Sequence, residues 1–174
     1  MPTSPDTANY HIGKGVISFQ LDGDSTMRDL GNVPSFTYTP DIQKKEHFSS
    51  RLGVKTKDLT RITQVGATIK FSMEEITGEN LAMFALSEVT TDTAGDVVLN
   101  GLSKTDFTGV IQCIGTNDVG QQVDFTANVS FVPAGDFSFV TDGDDYSTID
   151  VQCEVLADDD GNYGIWTVRD TAST

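Results

Sequence analysis

The chain is poor in basic residues, histidine and cysteine, and it has no long apolar run. Eleven Lys and Arg face 26 Asp and Glu in 174 residues, a net charge of −15. That acidity excludes a nucleic-acid reader, whose affinity for phosphate needs a basic surface. It is compatible with a protein that contains DNA without gripping it, because like charge keeps the two apart. No apolar stretch approaches the ~20 residues of a membrane span, so no membrane partner is expected. The opening Met1-Pro2-Thr3-Ser4-Pro5-Asp6 lacks a positive region followed by an apolar one. We therefore expect no secretory signal, and folding in the cytoplasm of the producing cell.

Catalytic and metal-binding patterns are equally scarce. His11 and His47 are the two histidines; neither sits in ligand spacing, and both read as exposed loop residues. No G-x-S-x-G elbow, phosphate-binding glycine loop or C-x-x-C pair occurs. Gly13-Lys14-Gly15 lacks a third glycine and a preceding strand. Asp158-Asp159-Asp160-Gly161 fails the EF-hand pattern, because Leu156 and Thr167 fall where the first ligand and the bidentate Glu belong. It reads better as a hairpin tip with solvated acids, as do Asp142, Asp144 and Asp145. Glu74 and Glu75 are adjacent, and neighbours on a strand point to opposite faces, so they make a poor acid/base pair. No enzyme, cofactor or metal is expected. Cys113 and Cys153 each lie in an apolar strand stretch, where a thiol behaves as a small hydrophobe; both are expected reduced and buried, although a disulfide remains open.

What is present is a series of short strands. Ile17, Phe19 and Leu21 alternate with Ser18 and Gln20; Val33 to Thr39 is β-prone; Ala67, Ile69, Phe71 and Met73 alternate with Thr68, Lys70 and Ser72. Further strands are expected over Gly109 to Gly115, Val123 to Phe131, Ile149 to Val155 and Ile165 to Val168. One helix is expected near 78–87, with Thr77 as N-cap, Glu79 in its first turn and an apolar stripe of Leu81, Phe84 and Ala85. Asp142-Gly143 and Asp160-Gly161 suit tight hairpin turns. The chain is long enough to bury roughly 70% of its unfolded surface as one domain over residues 1–174. The fold class is mostly β: two packed antiparallel β-sheets, as a β-sandwich or half-open barrel, with one flanking α-helix near 78–87, a loosely held N-terminal arm over 1–13 and a long loop near 40–62.

That loop breaks the charge pattern. Lys44, Lys45, Arg51, Lys55, Lys57 and Arg61 stand against Asp41, Glu46 and Asp58, a local +3 that leaves the rest of the chain at −18. A polar segment of ~20 residues without structure of its own is usually functional or disordered.

Four ordered segments carry a resemblance. Gly13-Lys14-Gly15-Val16-Ile17-Ser18-Phe19 opens the first strand; Arg28-Asp29-Leu30-Gly31-Asn32-Val33 follows; then Glu46-His47-Phe48-Ser49-Ser50 with Gly53 beyond; then Phe71-Ser72-Met73-Glu74-Glu75-Ile76-Thr77 and Glu79-Asn80-Leu81-Ala82. Together, across residues 13–87, they resemble the major tail tube proteins of long-tailed bacteriophages; the second half fits only through its run of short strands. The resemblance implies two packed sheets, a flanking helix and a long inter-strand loop, in a subunit that closes into homohexameric rings stacked as a hollow tube. Type VI secretion tubes share this architecture, so the likeness narrows fold more than function. The implied partners are the chain itself, a tape-measure protein within the tube, tail terminator and distal tail proteins at its ends, and DNA in transit without sequence-specific binding. The implied location is the virion tail, assembled in the host cytoplasm.

On this reading the basic residues Lys44, Lys45, Arg51, Lys55, Lys57 and Arg61 contact neighbouring subunits, mainly in the next ring, or else form a solvated mobile loop. The inner sheet draws on strands near 33–39, 66–73, 109–115 and 122–131. Its non-core set, Thr68, Lys70, Ser72, Gln122, Asp124, Thr126, Asn128 and Ser130, then faces the lumen, or the outer surface if the sheet is turned the other way. Lys70 is the awkward member, expected to pair with an acid of the adjacent subunit such as Asp124. The alternative function is a carbohydrate-binding β-sandwich module. It would need solvent-facing aromatics on one sheet, whereas Tyr10, Tyr38, Tyr146, Tyr163 and Trp166 are scattered and Trp166 is expected in the core.

Overall fold

Period-two alternation lays out the strands, and the apolar half of each turns inward. The computed structural model describes residues 10–51, 53–132, 135–140 and 146–169. In chain order the elements are β1 (Gly15–Leu21), β2 (Arg28–Asp29), β3 (Ser35–Ser49), β4 (Thr56–Met73), α1 (Gly78–Ala85), β5 (Val89–Thr91), β6 (Val97–Leu99), β7 (Thr108–Gly115), β8 (Gln122–Val132), β9 (Ile149–Leu156) and β10 (Ile165–Arg169). They form two antiparallel sheets, a small β5–β6 ribbon and a large sheet ordered β2-β1-β7-β8-β9-β4-β3. The fold is mostly β and sandwich-like, and no barrel closes among the described residues.

The large sheet forks at β8. One edge of β8 pairs with β7; the other is divided, Asn128–Val132 pairing with β9 and Gln122–Thr126 with β10. The fork lets β3 fold back over β8 and β10, so that the Tyr38 ring meets Phe125 at 5.4 Å and Trp166 at 5.1 Å between centroids. The core fills this curl. Phe131 packs edge-on against Phe19 (4.9 Å), Phe107 (5.7 Å) and Phe71 (6.3 Å), an arrangement that suits the ring quadrupoles.

The helix forms as its sequence dictates. The Thr77 side chain accepts from the Asn80 amide at 3.1 Å, satisfying one of the amides that a helix start leaves free. The helix ends on Leu86 in the left-handed region (φ 46°), with the Ser87 amide donating back to the Ala82 carbonyl at 3.0 Å. A leucine there is held by its burial in the core. Asn80 is fully buried beneath α1, donating to the carbonyls of Leu30 (3.2 Å) and Glu75 (2.8 Å) and accepting from Arg28 Nη1 (2.7 Å).

Several expectations change. The segment 40–62 is not a long loop: β3 continues to Ser49 and β4 starts at Thr56, so the two strands form a long hairpin arm whose connection is only the few residues between them. Two register shifts, after Gln43 and after His47, hide its alternation. His47 is accordingly an exposed strand residue, its Nδ1 2.6 Å from Asp58 Oδ1. Asp160-Gly161 does make a turn, with Gly161 at φ 83° and the Asp158 carboxylate accepting the amides of Asp160 and Asn162. Those bonds, chiefly from Asn162, hold the Asp158 carboxyl below its usual range. The strands on either side of that turn do not pair with each other, however; both pair with β8. Trp166 is half exposed rather than in the core: β10 is an edge strand, and the ring packs on Phe125 and Tyr38 while its remaining surface meets solvent. Cys153 is buried, Cys113 only half-buried, and both are free thiols. Burial pushes the Cys153 thiol up to about 12. Residues 1–9, and the Asp142-Gly143 turn with Asp144 and Asp145, lie outside the described residues, while Ile12 and His11 bond to the β7–β8 turn.

Candidate assembly surfaces

Beyond Asp41 and Gly66 the β3–β4 hairpin leaves the body of the molecule, and all of its described residues are exposed except the half-buried Ser49. At ~3.3 Å per residue, Asp41 to Ser49 reach about 30 Å. The six basic residues stay together on this arm: Lys44 and Lys45 on β3, Arg51 and Lys55 in the connection, Lys57 and Arg61 on β4. Lys57 pairs with Glu46. Lys45 stands directly opposite Arg61, a like-charge juxtaposition that disfavours the isolated hairpin.

The two faces of the arm differ in kind. Side chains of directly paired residues share a face. The pairs Phe36–Phe71, Tyr38–Ile69 and Pro40–Ala67 belong to the core face, and Ile42–Val65, Lys44–Ile62, Glu46–Thr60 and Phe48–Lys57 continue it along the arm. Ile42, Val65, Ile62 and Phe48 are 46%, 46%, 55% and 49% exposed. The core face of the sheet thus runs on past its own core, with nothing from the described residues over it. The other face carries Gln43–Gln64, Lys45–Arg61 and His47–Leu59. The six cations were legible in the sequence. The apolar stripe was not, because the two bulges in β4 break its period.

A second surface is the outer face of the large sheet. Thr68, Lys70, Ser72, Gln122, Asp124, Thr126, Asn128 and Ser130 all lie opposite the buried side chains of β4 and β8. The four strands expected to carry them are not contiguous, because β9 lies between β8 and β4 and adds Asp150, Gln152 and Glu154. A polar row then crosses five strands as Thr108, Ser130, Glu154, Thr68 and Thr39. Ser35, Ser72 and Asp150 form a hydrogen-bonded row of their own, at 3.2 and 2.6 Å. Asp124, expected as a partner for Lys70 of an adjacent subunit, already has partners within its own chain. Its two oxygens take Arg169 Nε and Nη2, each at 2.8 Å, and the Gly115 amide at 3.0 Å. The sequence spacing gave no sign that Arg169, forty-five residues away, would hold it.

A third feature was not anticipated. Between α1, β1 and β2 lies an open trough of about 620 Å³ floored by Phe19, Met83 and Phe107 and rimmed by Asp24, Glu79 and Glu88. Arg28 enters it half-buried, its guanidinium proton affinity lowered by desolvation and partly restored by Glu79 and Asp29. No group of three or more His, Cys, Asp or Glu among the described residues is arranged to hold a metal ion. No helix among the described residues is long and apolar enough to cross a membrane.

No curated protein matches the sequence. Among solved structures, a chain of the cryo-EM structure of the anti-feeding prophage (AFP) baseplate, 6-fold symmetrised, is similar in fold. It superposes with a TM-score of 0.57 over 96% of this chain and 97% of that chain, at 7% sequence identity. The model of one protein family matches residues 10–107, from the first described residue through α1 and the β5–β6 ribbon to Phe107. This chain belongs to that family, described as protein of unknown function UCP028589.

Proposed function

We propose that this chain is the repeating structural subunit of a phage-type tail tube. It closes into homohexameric rings, and the rings stack into a hollow tube that holds a tape-measure protein and then passes DNA during ejection. Tail terminator and distal tail proteins cap the ends, and the chain works in the virion after assembly in the host cytoplasm. It carries no catalytic role. The observation that carries this reading is the β3–β4 arm, a ~30 Å projection with a net charge of +3 in a chain whose remainder is −18, bearing an uncovered extension of the core face. An isolated monomer gains nothing from such an arm, whereas a neighbouring copy offers both the acid and the apolar cover it lacks. The fold likeness to a chain of a six-fold symmetrised prophage baseplate agrees with a ring-forming subunit.

The outer face of the large sheet suits a lumen. On β4, β8 and β9, apart from the Asp124–Arg169 pair, its charges are Lys70, Asp150 and Glu154 among mostly Ser, Thr, Asn and Gln. A passing duplex meets no cluster of Lys and Arg in which phosphates lodge. Exposed ion pairs contribute only about 0.2–1 kcal/mol each, so the arm must act through several cations together with its apolar stripe. Purified protein is expected to form tubes in negative-stain micrographs, and the K44E/K45E/R51E variant to remain unassembled with an unchanged circular dichroism spectrum. Full-length tubes from that variant would sink the proposed role of the arm; failure of the unaltered chain to form rings or tubes would sink the tube reading.

A further inference from the structure

The direction of the strands fixes where the arm and the trough stand. Strand β1 is antiparallel to β7, β7 to β8, β8 to β9 and β9 to β4. Four reversals leave β1 and β4 running the same way. The arm occupies the N-terminal end of β4, and α1 starts five residues after its C-terminal end at Met73. The trough is bounded by α1 and by Leu21 at the C-terminal end of β1. Arm and trough therefore lie at opposite ends of the subunit along the strand direction.

Their chemistry is complementary. The trough opens into a neighbouring hollow that shares Leu21, Glu88 and Lys104. Around the two, Asp22, Asp24, Glu79, Glu88 and Asp106 face Arg28 and Lys104, five acids against two cations and so a net −3. The arm sets six cations against three acids, a net +3. Among the described residues Lys104 already pairs with Glu88, at 3.3 Å, while Asp24 and Glu79 are in no ion pair. Arg28 is engaged with Asn80. The floor is apolar and the lip carries the partly exposed Met27 and Val89, a match for the uncovered Phe48 and Ile62 of the arm.

We propose that the trough between α1, β1 and β2 receives the β3–β4 arm of a second copy of this chain. This rests on the tube reading and deepens it by naming the acceptor. Donor and acceptor are different surfaces at opposite ends, so the contact is head-to-tail. A head-to-tail contact leaves a free arm at one end and a free trough at the other, and so propagates without limit until a different protein stops it.

A charge exchange tests this. D24K/E79K alters two exposed carboxylates and is expected to abolish tubes as K44E/K45E/R51E does, with the circular dichroism spectrum unchanged. Combining both sets in one chain restores attraction with the signs swapped, and tubes are expected to return. As a second measurement, V54C/M27C in a C113S background is expected to give disulfide-linked oligomers from assembled tubes under mild oxidation and none from monomer. Tubes of normal length from D24K/E79K, or intact V54C/M27C tubes that give no cross-linked oligomer, overturn the trough as acceptor while leaving the tube reading in place. If the unaltered chain never assembles, the tube reading itself fails and the acceptor assignment falls with it.

Discussion

Asn80 is the single side chain whose removal tests how the helix end of the subunit is held. Asn80→Ala deletes an amide that is 1% exposed. It removes the donor to Leu30 and Glu75 carbonyls at 3.2 and 2.8 Å and the acceptor for Arg28 at 2.7 Å. Each buried carbonyl left without a partner costs about 1–3 kcal/mol. Partial relief comes from water reaching the half-buried Arg28 and the part-buried Glu75 carbonyl. A net loss of about 2–4 kcal/mol is expected, or roughly 5–15 °C in Tm for a chain of this size. Urea unfolding followed by Trp166 fluorescence and far-UV circular dichroism measures it. Asn80→Asp discriminates the cause. If the Arg28 bond were what mattered, a carboxylate would strengthen it; if the two donated bonds matter, Asp sets oxygen against oxygen and loses as much as Ala or more. A loss under about 1 kcal/mol for Asn80→Ala, or native stability for Asn80→Asp, refutes the reasoning.

Arg169→Ala leaves Asp124 with only the Gly115 amide; the loss is expected at about 0.5–1.5 kcal/mol and should shrink in 1 M salt, read by the same melts. At pH 8 an alkylating reagent is expected to label Cys113 well before Cys153. The Cys153 thiol is raised to about 12 by burial and so holds almost no thiolate there, and mass spectrometry should find the two alike only after denaturation. Gly109→Ala drives a methyl into the Gln20 backbone carbonyl and the Phe19 ring, and soluble yield should collapse. Gly66→Ala meets only the Asp41 carbonyl at 4.0 Å and should express and melt as the native chain does.

The strand rhythm was legible wherever one face is buried and the register unbroken. Ala67, Ile69, Phe71 and Met73 alternate in the sequence and are buried in the fold, and the N-cap at Thr77 is in place. What was not legible has two physical causes. The first is the bulge: an extra residue in β4 opposite Gln43–Lys44, and another opposite His47–Phe48, shift the period, so a hairpin arm reads as a polar loop. The second is distance along the chain. Asp24 and Glu79 meet around the trough with Asp106 in the hollow beside it, and Asp124 finds Arg169, only because the fold brings together segments far apart in the chain. Composition announced a charge asymmetry without saying that the two signs stand at opposite ends.

The arm's construction also bears on when it engages. Past Asp41 it is, among the described residues, a two-stranded ribbon with no third strand and neither face covered, and such ribbons are marginal on their own. Lys45 opposite Arg61 weakens it further on one face, by about 0.2–1 kcal/mol. On the other, Ile42, Val65, Ile62 and Phe48 stay unsatisfied until something apolar covers them. The two faces therefore pull the free subunit and the docked one apart in stability: repulsion acts in both states, and apolar burial only in the second. Neutralising the repulsion with Lys45→Gln should make the free arm more ordered without adding a docking contact, seen as slower amide hydrogen exchange at residues 42–48 and 57–65 in the monomer. If assembly waits on ordering of the arm, Lys45→Gln also shortens the lag before tubes appear in light scattering. If the exchange slows and the lag does not shorten, ordering of the arm is not the step that limits growth, and the like-charge pair has no part in its timing.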